Sequence, residues 1–296
     1  MIPDEFALYL GCRIPIKNLE FEKASRLILK DLGINLHDMT GVGCCPNPVG
    51  ISSINLETWL ALGARNISIA EKMNKDIITF CAGCFETLRT VNHTLKGSPE
   101  LKAKVKEILQ KTGYDYNGTI KIYHLAEVLF SEENLKKIKE KVTKKLDFLT
   151  FSSHYGCHLI RPSEHMQFDD PERPLSIDRI LNVLGVKSVD SAEKMTCCGY
   201  CARLHPEIGQ TLSERKMLEL NALKVDGLVG VCPACLNQYE MSQRKYNKSL
   251  SDEERLNIPV FYLSELIALA FGYSPEELRL KSKMIKPIEI IEKISS

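Results

Sequence analysis

Two related stretches of this sequence decide its fold: Asp76-Ile77-Ile78-Thr79-Phe80-Cys81-Ala82-Gly83-Cys84 and Gly227-Leu228-Val229-Gly230-Val231-Cys232-Pro233-Ala234-Cys235. In each stretch, a short apolar run leads directly into a Cys-x-x-Cys pair. A short apolar run of this kind, rich in β-branched residues in the first copy, predicts a buried strand. We therefore expect each strand to deliver two thiols at its carboxyl end.

The other cysteines extend this repeat. In each half of the chain a single cysteine comes first, an adjacent pair follows, and the Cys-x-x-Cys pair comes last. The first set consists of Cys12, Cys44, Cys45, Cys81 and Cys84, and the second of Cys157, Cys197, Cys198, Cys232 and Cys235. The eleventh cysteine, Cys201, has no counterpart in the first half, and we expect it to be an additional thiol outside the repeated set.

The segments between the cysteines repeat as well. Helical patterns end at Leu32-Gly33-Ile34 and at Leu184-Gly185-Val186, with glycine where a helix C-cap favours it. Strands that alternate with helices predict βαβ units. We predict an α/β fold of two duplicated halves, 1–146 and 147–296, with mainly parallel sheets related by pseudo-twofold symmetry. The cysteines would then lie at the sheet edge where open α/β folds bind ligands.

Composition excludes several classes of protein. The 296 residues carry a net charge of only +1 and no basic stripe, so we expect no nucleic-acid partner. The apolar stretch 260–273 is too short to cross a bilayer, and the N-terminus lacks the layout of a signal peptide. We therefore expect a cytoplasmic protein without a membrane span. Cytosolic thiols are kept reduced, so eleven cysteines indicate metal binding or redox chemistry.

Five thiols in each set favour an iron–sulfur cluster over zinc. A structural zinc site is closed by four ligands, and adjacent side chains on an extended backbone point apart, which suits different atoms of a polynuclear cluster. An ordinary cubane also takes four cysteines. A fifth thiol indicates either an unusual cluster or a cubane beside a reactive thiol, and a zinc-stabilised scaffold is the alternative of a different class.

Basic residues crowd the single cysteine of the second set. His154, His158 and Arg161 lie close to Cys157, followed by His165. They are candidates for a proton source and an anion-binding group at a substrate site. The alternative is that they donate N–H groups to sulfur, or simply belong to a polar loop.

The paired cysteine pattern resembles the cysteine-rich "CCG" domain pair, with Cys197-Cys198-Gly199 in the second half and a departure to Cys44-Cys45-Pro46 in the first. Local strings resemble the B subunit of methanogen heterodisulfide reductases. They are Leu10-Gly11-Cys12-Arg13-Ile14-Pro15, Glu57-Thr58-Trp59-Leu60-Ala61-Leu62, His154-Tyr155-Gly156-Cys157-His158 and Asp169-Asp170-Pro171-Glu172-Arg173-Pro174.

The resemblance implies the reduction of the coenzyme M–coenzyme B heterodisulfide to its two thiols in methanogenesis. It also implies two noncubane [4Fe-4S] clusters, one on each set of five cysteines, and two partners, a ferredoxin-like C subunit and a flavin-containing A subunit. We expect the two clusters to flank the substrate disulfide and to supply one electron each. The alternative within the superfamily is an electron-relay iron–sulfur subunit of a hydroxyacid or glycerol-phosphate oxidising complex.

Overall fold

The predicted strands form two sheets of the same topology. A computed structural model describes residues 2–202 and 204–295. Within these residues there are two four-stranded sheets, ordered β2-β1-β3-β4 and β6-β5-β7-β8, and every strand pair in them is parallel. The predicted α/β class, the duplication and the parallel sheets are thereby confirmed.

The first sheet comes from the first half of the chain. Its strands are β1 (Glu5–Tyr9), β2 (Asn35–Asp38), β3 (Ile77–Thr79) and β4 (Ile122–His124). The helices of this half are α1 (Ile14–Lys17), α2 (Leu19–Asp31), α3 (Ile51–Ile54), α4 (Leu56–Lys72), α5 (Ala82–Gly97), α6 (Pro99–Gln110), α7 (Leu125–Leu129) and α8 (Glu132–Lys141).

The second sheet repeats this order. Its strands are β5 (Thr150–His154), β6 (Lys187–Ser188), β7 (Gly227–Gly230) and β8 (Val260–Tyr262). The helices are α9 (Cys157–Ile160), α10 (Ser163–Met166), α11 (Ser176–Val183), α12 (Pro206–Ala222), α13 (Pro233–Tyr246), α14 (Leu263–Ala270) and α15 (Ile288–Ser295). Short 3-10 turns cover Asn247–Ser249, Asp252–Glu254 and Leu280–Ser282.

The chain divides into two compact units, each built from several segments. The first unit consists of Met1–Leu19, Leu29–Val128 and His158–Pro171. The second consists of Glu20–Ile28, Leu129–Cys157 and Glu172–Ser296. Each unit contains one sheet and one complete set of five cysteines.

The interior strands are buried, as the apolar runs require. Every residue of β3 and of β7 is buried, as expected for parallel strands covered by helices on both faces. The predicted helix ends are also in place, since Gly33 and Gly185 adopt φ angles of +77° and +88° directly after α2 and α11. Across residues 2–202 and 204–295, no helix is both long and apolar enough to cross a membrane.

Candidate metal centres

The first set of thiols gathers at the carboxyl edge of its sheet. Cys12 follows β1, the adjacent pair lies in the loop after β2, and Cys81 follows β3. Cys84 lies in the first turn of α5, as Cys235 does in the first turn of α13. β1 and β3 are neighbours in the order β2-β1-β3-β4, so the thiols meet where the strand order reverses.

Hydrogen bonds join the five thiols of the first set into a chain. Cys44 contacts Cys12 and Cys45, and Cys84 contacts Cys45 and Cys81. Hydrogen bonds from Cys44 and Cys84 hold the pKa of Cys45 well below its ordinary value. The set therefore contains a group predisposed to the thiolate form, which is the form that binds metal.

The second set repeats this contact order. Cys197 contacts Cys157 and Cys198, and Cys235 contacts Cys198 and Cys232. Hydrogen bonds from Cys157 and Cys198 lower the pKa of Cys197 to about 2. The structure thus brings together both predicted sets, each with all five members. Cys201, which the prediction left out, is exposed.

A glycine of positive φ precedes the single cysteine of each set, and in the first set it makes room for the sulfurs. Gly11 has a φ of +67°, and a Cβ atom built there would lie 2.7 Å from the Sγ atom of Cys84. Gly156 has a φ of +76°, and its Cβ would lie 3.7 Å from the Sγ atom of Cys235. A side chain at Gly11 would occupy the space in which the sulfurs converge.

A neutral polar pair lies beneath the first set. The Tyr9 hydroxyl donates to the Gly43 carbonyl oxygen at 2.7 Å, and the Asn66 amide lies 3.4 Å from the same hydroxyl. The Asn66 amide also donates to the Cys44 carbonyl oxygen at 3.1 Å. These contacts fix the loop that carries the adjacent cysteines.

A basic pair occupies the same place in the second unit. His154 is buried, and one of its ring nitrogens lies within 4.8 Å of the Sγ atoms of Cys198 and Cys235. Its Nδ1 atom lies 3.1 Å from the Nζ atom of Lys216, a residue with no exposed surface. Burial and the charge of Lys216 lower the pKa of His154 to about 3, so the imidazole is neutral.

The other predicted substrate residues lie in the first unit. The His158 Nδ1 atom is 3.8 Å from a Glu86 carboxylate oxygen. The Arg161 guanidinium donates to the Pro171 carbonyl oxygen at 3.1 and 2.6 Å. Arg161 thus fixes the loop between itself and Pro171.

His165 lies in a basic cavity of about 370 Å³ in the first unit. Its ring centroid is 4.6 Å from that of His93. Arg89, Lys96 and Lys121 line the same cavity, although the Arg89 guanidinium already pairs with a carboxylate at 2.8 Å. Such a lining is suited to an anion.

The donor sets fit an iron–sulfur cluster better than a single ion. Each set offers five soft thiols in mutual contact and no carboxylate among them, whereas a zinc ion is satisfied by four ligands. Beside the second set, the Nε2 atom of His154 is buried without a hydrogen-bond partner among the described residues. A bound cluster would offer sulfur acceptors to that N–H group.

Comparison with known proteins agrees with this chemistry. The model of a cysteine-rich domain family, CCG, matches residues 6–89 and again residues 151–240. The B subunit of the ferredoxin:CoB–CoM heterodisulfide reductase of Methanosarcina mazei is 36% identical over 294 residues, which cover 98% of this chain and 97% of the relative. The chain belongs to the cysteine-rich domain family of heterodisulfide reductase B subunits. A heterodisulfide reductase is an oxidoreductase that acts on a disulfide.

Other relatives of this B-subunit family member carry different names. The membrane anchor subunit of the 8-methylmenaquinol:fumarate reductase of Wolinella succinogenes is 31% identical over 283 residues, covering 95% of this chain and 97% of that protein. A crystal structure of a hypothetical protein from Helicobacter pylori superposes with a TM-score of 0.74 at 17% identity. The match covers 97% of this chain and 53% of the solved chain, and it shows that the fold is shared.

Sequence reasoning missed the residues beneath the thiols, above all Asn66 and Lys216. Both lie on long helices and look like ordinary helical positions. In the folded chain each precedes by the same distance a residue of positive φ, Asn74 in one copy and Lys224 in the other, but this backbone geometry cannot be read from the sequence.

Proposed function

We propose that the chain is the catalytic subunit that reduces the coenzyme M–coenzyme B heterodisulfide to the two free thiols, as in methanogenesis. The observation that carries the proposal is the occurrence of two sets of five thiols with the same contact order, one in each unit. Membership in the B-subunit family supports it. We further propose that each set holds one noncubane [4Fe-4S] cluster through all five of its cysteines.

The reaction determines how many such centres are needed. Cleavage of one disulfide consumes two electrons and two protons and releases two thiols. When bound, each iron–sulfur cluster supplies one electron at a time. A chain with two centres can therefore complete the reaction in one encounter with its substrate, whereas a chain with one centre would leave a half-reduced disulfide.

The chain's own residues hold the site and its protons. The thiols would bind the metal as soft ligands, and Gly11 keeps space open beside the first set. The neutral imidazole of His154 holds a proton on Nε2, since Nδ1 faces the Lys216 ammonium. His158 and Arg161 keep the roles proposed from the sequence, a proton donor and an anchor for the acidic ends of the substrate.

The proposal includes partners and a location. The electrons would come from a ferredoxin-like C subunit and a flavin-containing A subunit, as the family resemblance implies. We place the chain in the cytoplasm, where thiols are kept reduced. No nucleic acid enters the proposal.

The test is turnover by this subunit under anaerobic conditions. Chain loaded with iron and sulfide is mixed with a chemically reduced dye and the heterodisulfide, and dye oxidation is followed together with thiol release. We expect two dye electrons consumed and two thiols released per disulfide. A metal-free sample is the control, and a fully loaded chain that oxidises no dye with this disulfide would contradict the proposal.

Electron relay is the second candidate, and one observation favours it. A relative with 31% identity is named as a subunit of a menaquinol:fumarate reductase, an enzyme that acts on substrates other than a heterodisulfide. In the relay proposal the loaded chain accepts and passes on electrons but cleaves no disulfide. The same experiment decides between the two, because a relay subunit would be reduced by the dye without releasing thiols.

A further inference from the structure

A pair of equivalent positions on the helices beneath the thiols differs in charge between the two sites. Asn66 and Lys216 both lie on the long helix beneath the thiols, α4 in the first unit and α12 in the second. Each contacts the residue that stands three positions before the single cysteine, Tyr9 in one unit and His154 in the other. The two halves therefore share this contact, but it joins two neutral side chains in the first unit and a lysine and a histidine in the second.

The first site is neutral at this position. Asn66 carries no charge, and its amide and carbonyl groups bond the loop at Gly43 and Cys44. Burial and the neighbouring cysteines raise the pKa of Tyr9 far above its ordinary value, so its hydroxyl stays protonated. Nothing in this pair adds a formal charge beneath the sulfurs.

The second site contains a buried ammonium. The Lys216 Nζ atom lies 2.9 Å from the Glu193 carbonyl oxygen, 3.1 Å from the Lys194 carbonyl oxygen and 3.1 Å from the His154 Nδ1 atom. An ammonium has three N–H donors, so each of them has an acceptor. Complete use of the donors offsets part of the cost of burial. Burial lowers the pKa of Lys216 to about 8, so the ammonium form still predominates at neutral pH.

The ammonium also sets the tautomer of His154. The Lys216 ammonium, 3.1 Å from Nδ1, can only donate a hydrogen bond, and the Tyr239 hydroxyl lies 3.3 Å from the same atom. Nδ1 is therefore an acceptor, and the ring proton is on Nε2. That N–H group has no hydrogen-bond partner among the described residues, and one of the two ring nitrogens lies within 4.8 Å of the Sγ atoms of Cys198 and Cys235.

A second position differs in the same sense. Glu86, two residues after Cys84, is a buried carboxyl in the first unit. The equivalent residue of the second unit, two positions after Cys235, is Asn237, whose amide donates to the Pro233 carbonyl oxygen at 2.7 Å. A carboxyl can add only negative charge to the first site, and a carboxamide adds none to the second.

We propose that the buried Lys216 ammonium gives the centre of the second unit a higher reduction potential than that of the first unit. An electron on the chain would then occupy the second centre preferentially. A buried positive charge stabilises the reduced, more negative state of a nearby cluster, and N–H donors to sulfur act in the same direction. Lys216 is a positioning residue in this scheme. The inference rests on the proposed function only in that each set of thiols holds a one-electron centre.

The first experiment compares the two centres in the whole loaded chain. An anaerobic redox titration, without any disulfide, is followed by visible absorbance and electron paramagnetic resonance. Cys45→Ser and Cys198→Ser chains, each retaining the other centre, assign the two signals. We expect two separate potentials, with the signal of the second unit reduced first. Equal potentials, or the reverse order, would overturn the inference.

The second experiment removes the charge. Lys216→Met keeps a long side chain without the ammonium, and we expect the potential of the second centre to fall while that of the first is unchanged. Lys216→Arg keeps a positive charge and should retain the separation. An unchanged second potential in a Lys216→Met chain with full iron content would refute the role of Lys216. If that chain does not retain iron, the order of potentials in the first experiment decides.

The outcome is independent of substrate turnover. A chain with unequal potentials that cleaves no heterodisulfide would leave this inference standing and remove the proposed function. A chain that turns over the heterodisulfide with two equal potentials would do the opposite.

Discussion

At the scale of single residues, Gly11 offers the most direct test of the thiol cradle. Gly11→Ala would place a methyl group 2.7 Å from the Cys84 Sγ atom on a backbone with φ of +67°. We expect the first centre to be lost or distorted, because the sulfur cannot stay in place. Iron analysis should show about half of the wild-type iron, given two four-iron clusters.

Gly33 supplies the matched control for this change. Its φ is +77°, and a Cβ built there would meet nothing within 4 Å. Gly33→Ala should cost about 1–2 kcal/mol of stability from the left-handed backbone alone and keep all its iron. Equal iron loss in the two variants would show that backbone strain, rather than the sulfur contact, is responsible.

The cysteines outside and inside the contact chain should behave differently. Cys45 lies between Cys44 and Cys84 in the hydrogen-bonded chain, so Cys45→Ser replaces a central soft ligand by a hard hydroxyl and should remove one centre.

Cys201→Ala should leave the iron content and most of the activity unchanged. Loss of iron from the Cys201→Ala chain would mean that Cys201 is a ligand and that the second set is wrongly assigned.

At the scale of elements, one buried carboxylate joins α11 to β5. Asp178 accepts hydrogen bonds from the Ser153 hydroxyl at 2.9 Å and the Tyr155 hydroxyl at 2.8 Å. The Lys194 ammonium pairs with it at 2.8 Å. Burial alone would raise the pKa of Asp178, but its hydrogen bonds, first that from Lys194, outweigh burial and lower it. The carboxylate form is therefore part of the fold.

Asp178→Asn should destabilise the second unit by about 2 kcal/mol, which corresponds to a melting temperature lower by about 5 °C. Because the folded pKa lies below the unfolded value of about 3.9, this contribution is complete above about pH 4 and is lost as the pH falls further. The difference in melting temperature should thus be the same at pH 8 and pH 6. A difference that shrinks over that range would identify another group.

The control for Asp178 is an exposed partner of the same lysine. The Asp190 side chain is 88% exposed and lies 3.5 Å from the Lys194 Nζ atom. Exposed ion pairs contribute little to stability, so Asp190→Asn should leave the melting temperature almost unchanged. A fall as large as that of Asp178→Asn would show that any negative charge beside Lys194 stabilises the fold, whether or not it belongs to the buried network.

Secondary-structure elements could be predicted from the sequence where a residue pattern repeats in the two halves. Side chains whose role depends on tertiary contacts could not be predicted. The apolar runs before Cys81 and Cys232 identified β3 and β7, and the glycines after α2 and α11 identified both helix ends. The second copy's edge strand, β6, covers only Lys187–Ser188, too short for a periodic pattern to identify. Lys216 was invisible, since a lysine on a helix ordinarily faces water, and only the folded chain shows that it is buried.

At the scale of the whole molecule, the two centres should act as one unit. Under the proposed function the two-electron reaction needs both centres, so Cys45→Ser and Cys198→Ser should each abolish nearly all heterodisulfide turnover rather than half of it. The double variant should be no worse than either single variant, as for residues that act together. Steady-state rates with a reduced dye test this. Half of the activity in each single variant would indicate independent sites.

The unequal exposure of the thiols has a consequence for the behaviour of the chain in air. Cys12, Cys44 and Cys197 are exposed, whereas Cys84, Cys198 and Cys235 are buried. Oxidation to sulfenic acid and then to disulfide requires access to the sulfur. Oxidation should therefore begin at the exposed cysteines of each set, and brief exposure to air should leave the buried sulfurs as thiols. A short treatment with a mild reductant, followed by iron and sulfide, should then restore the protein, whereas prolonged exposure would carry the exposed cysteines to irreversible sulfinic acid.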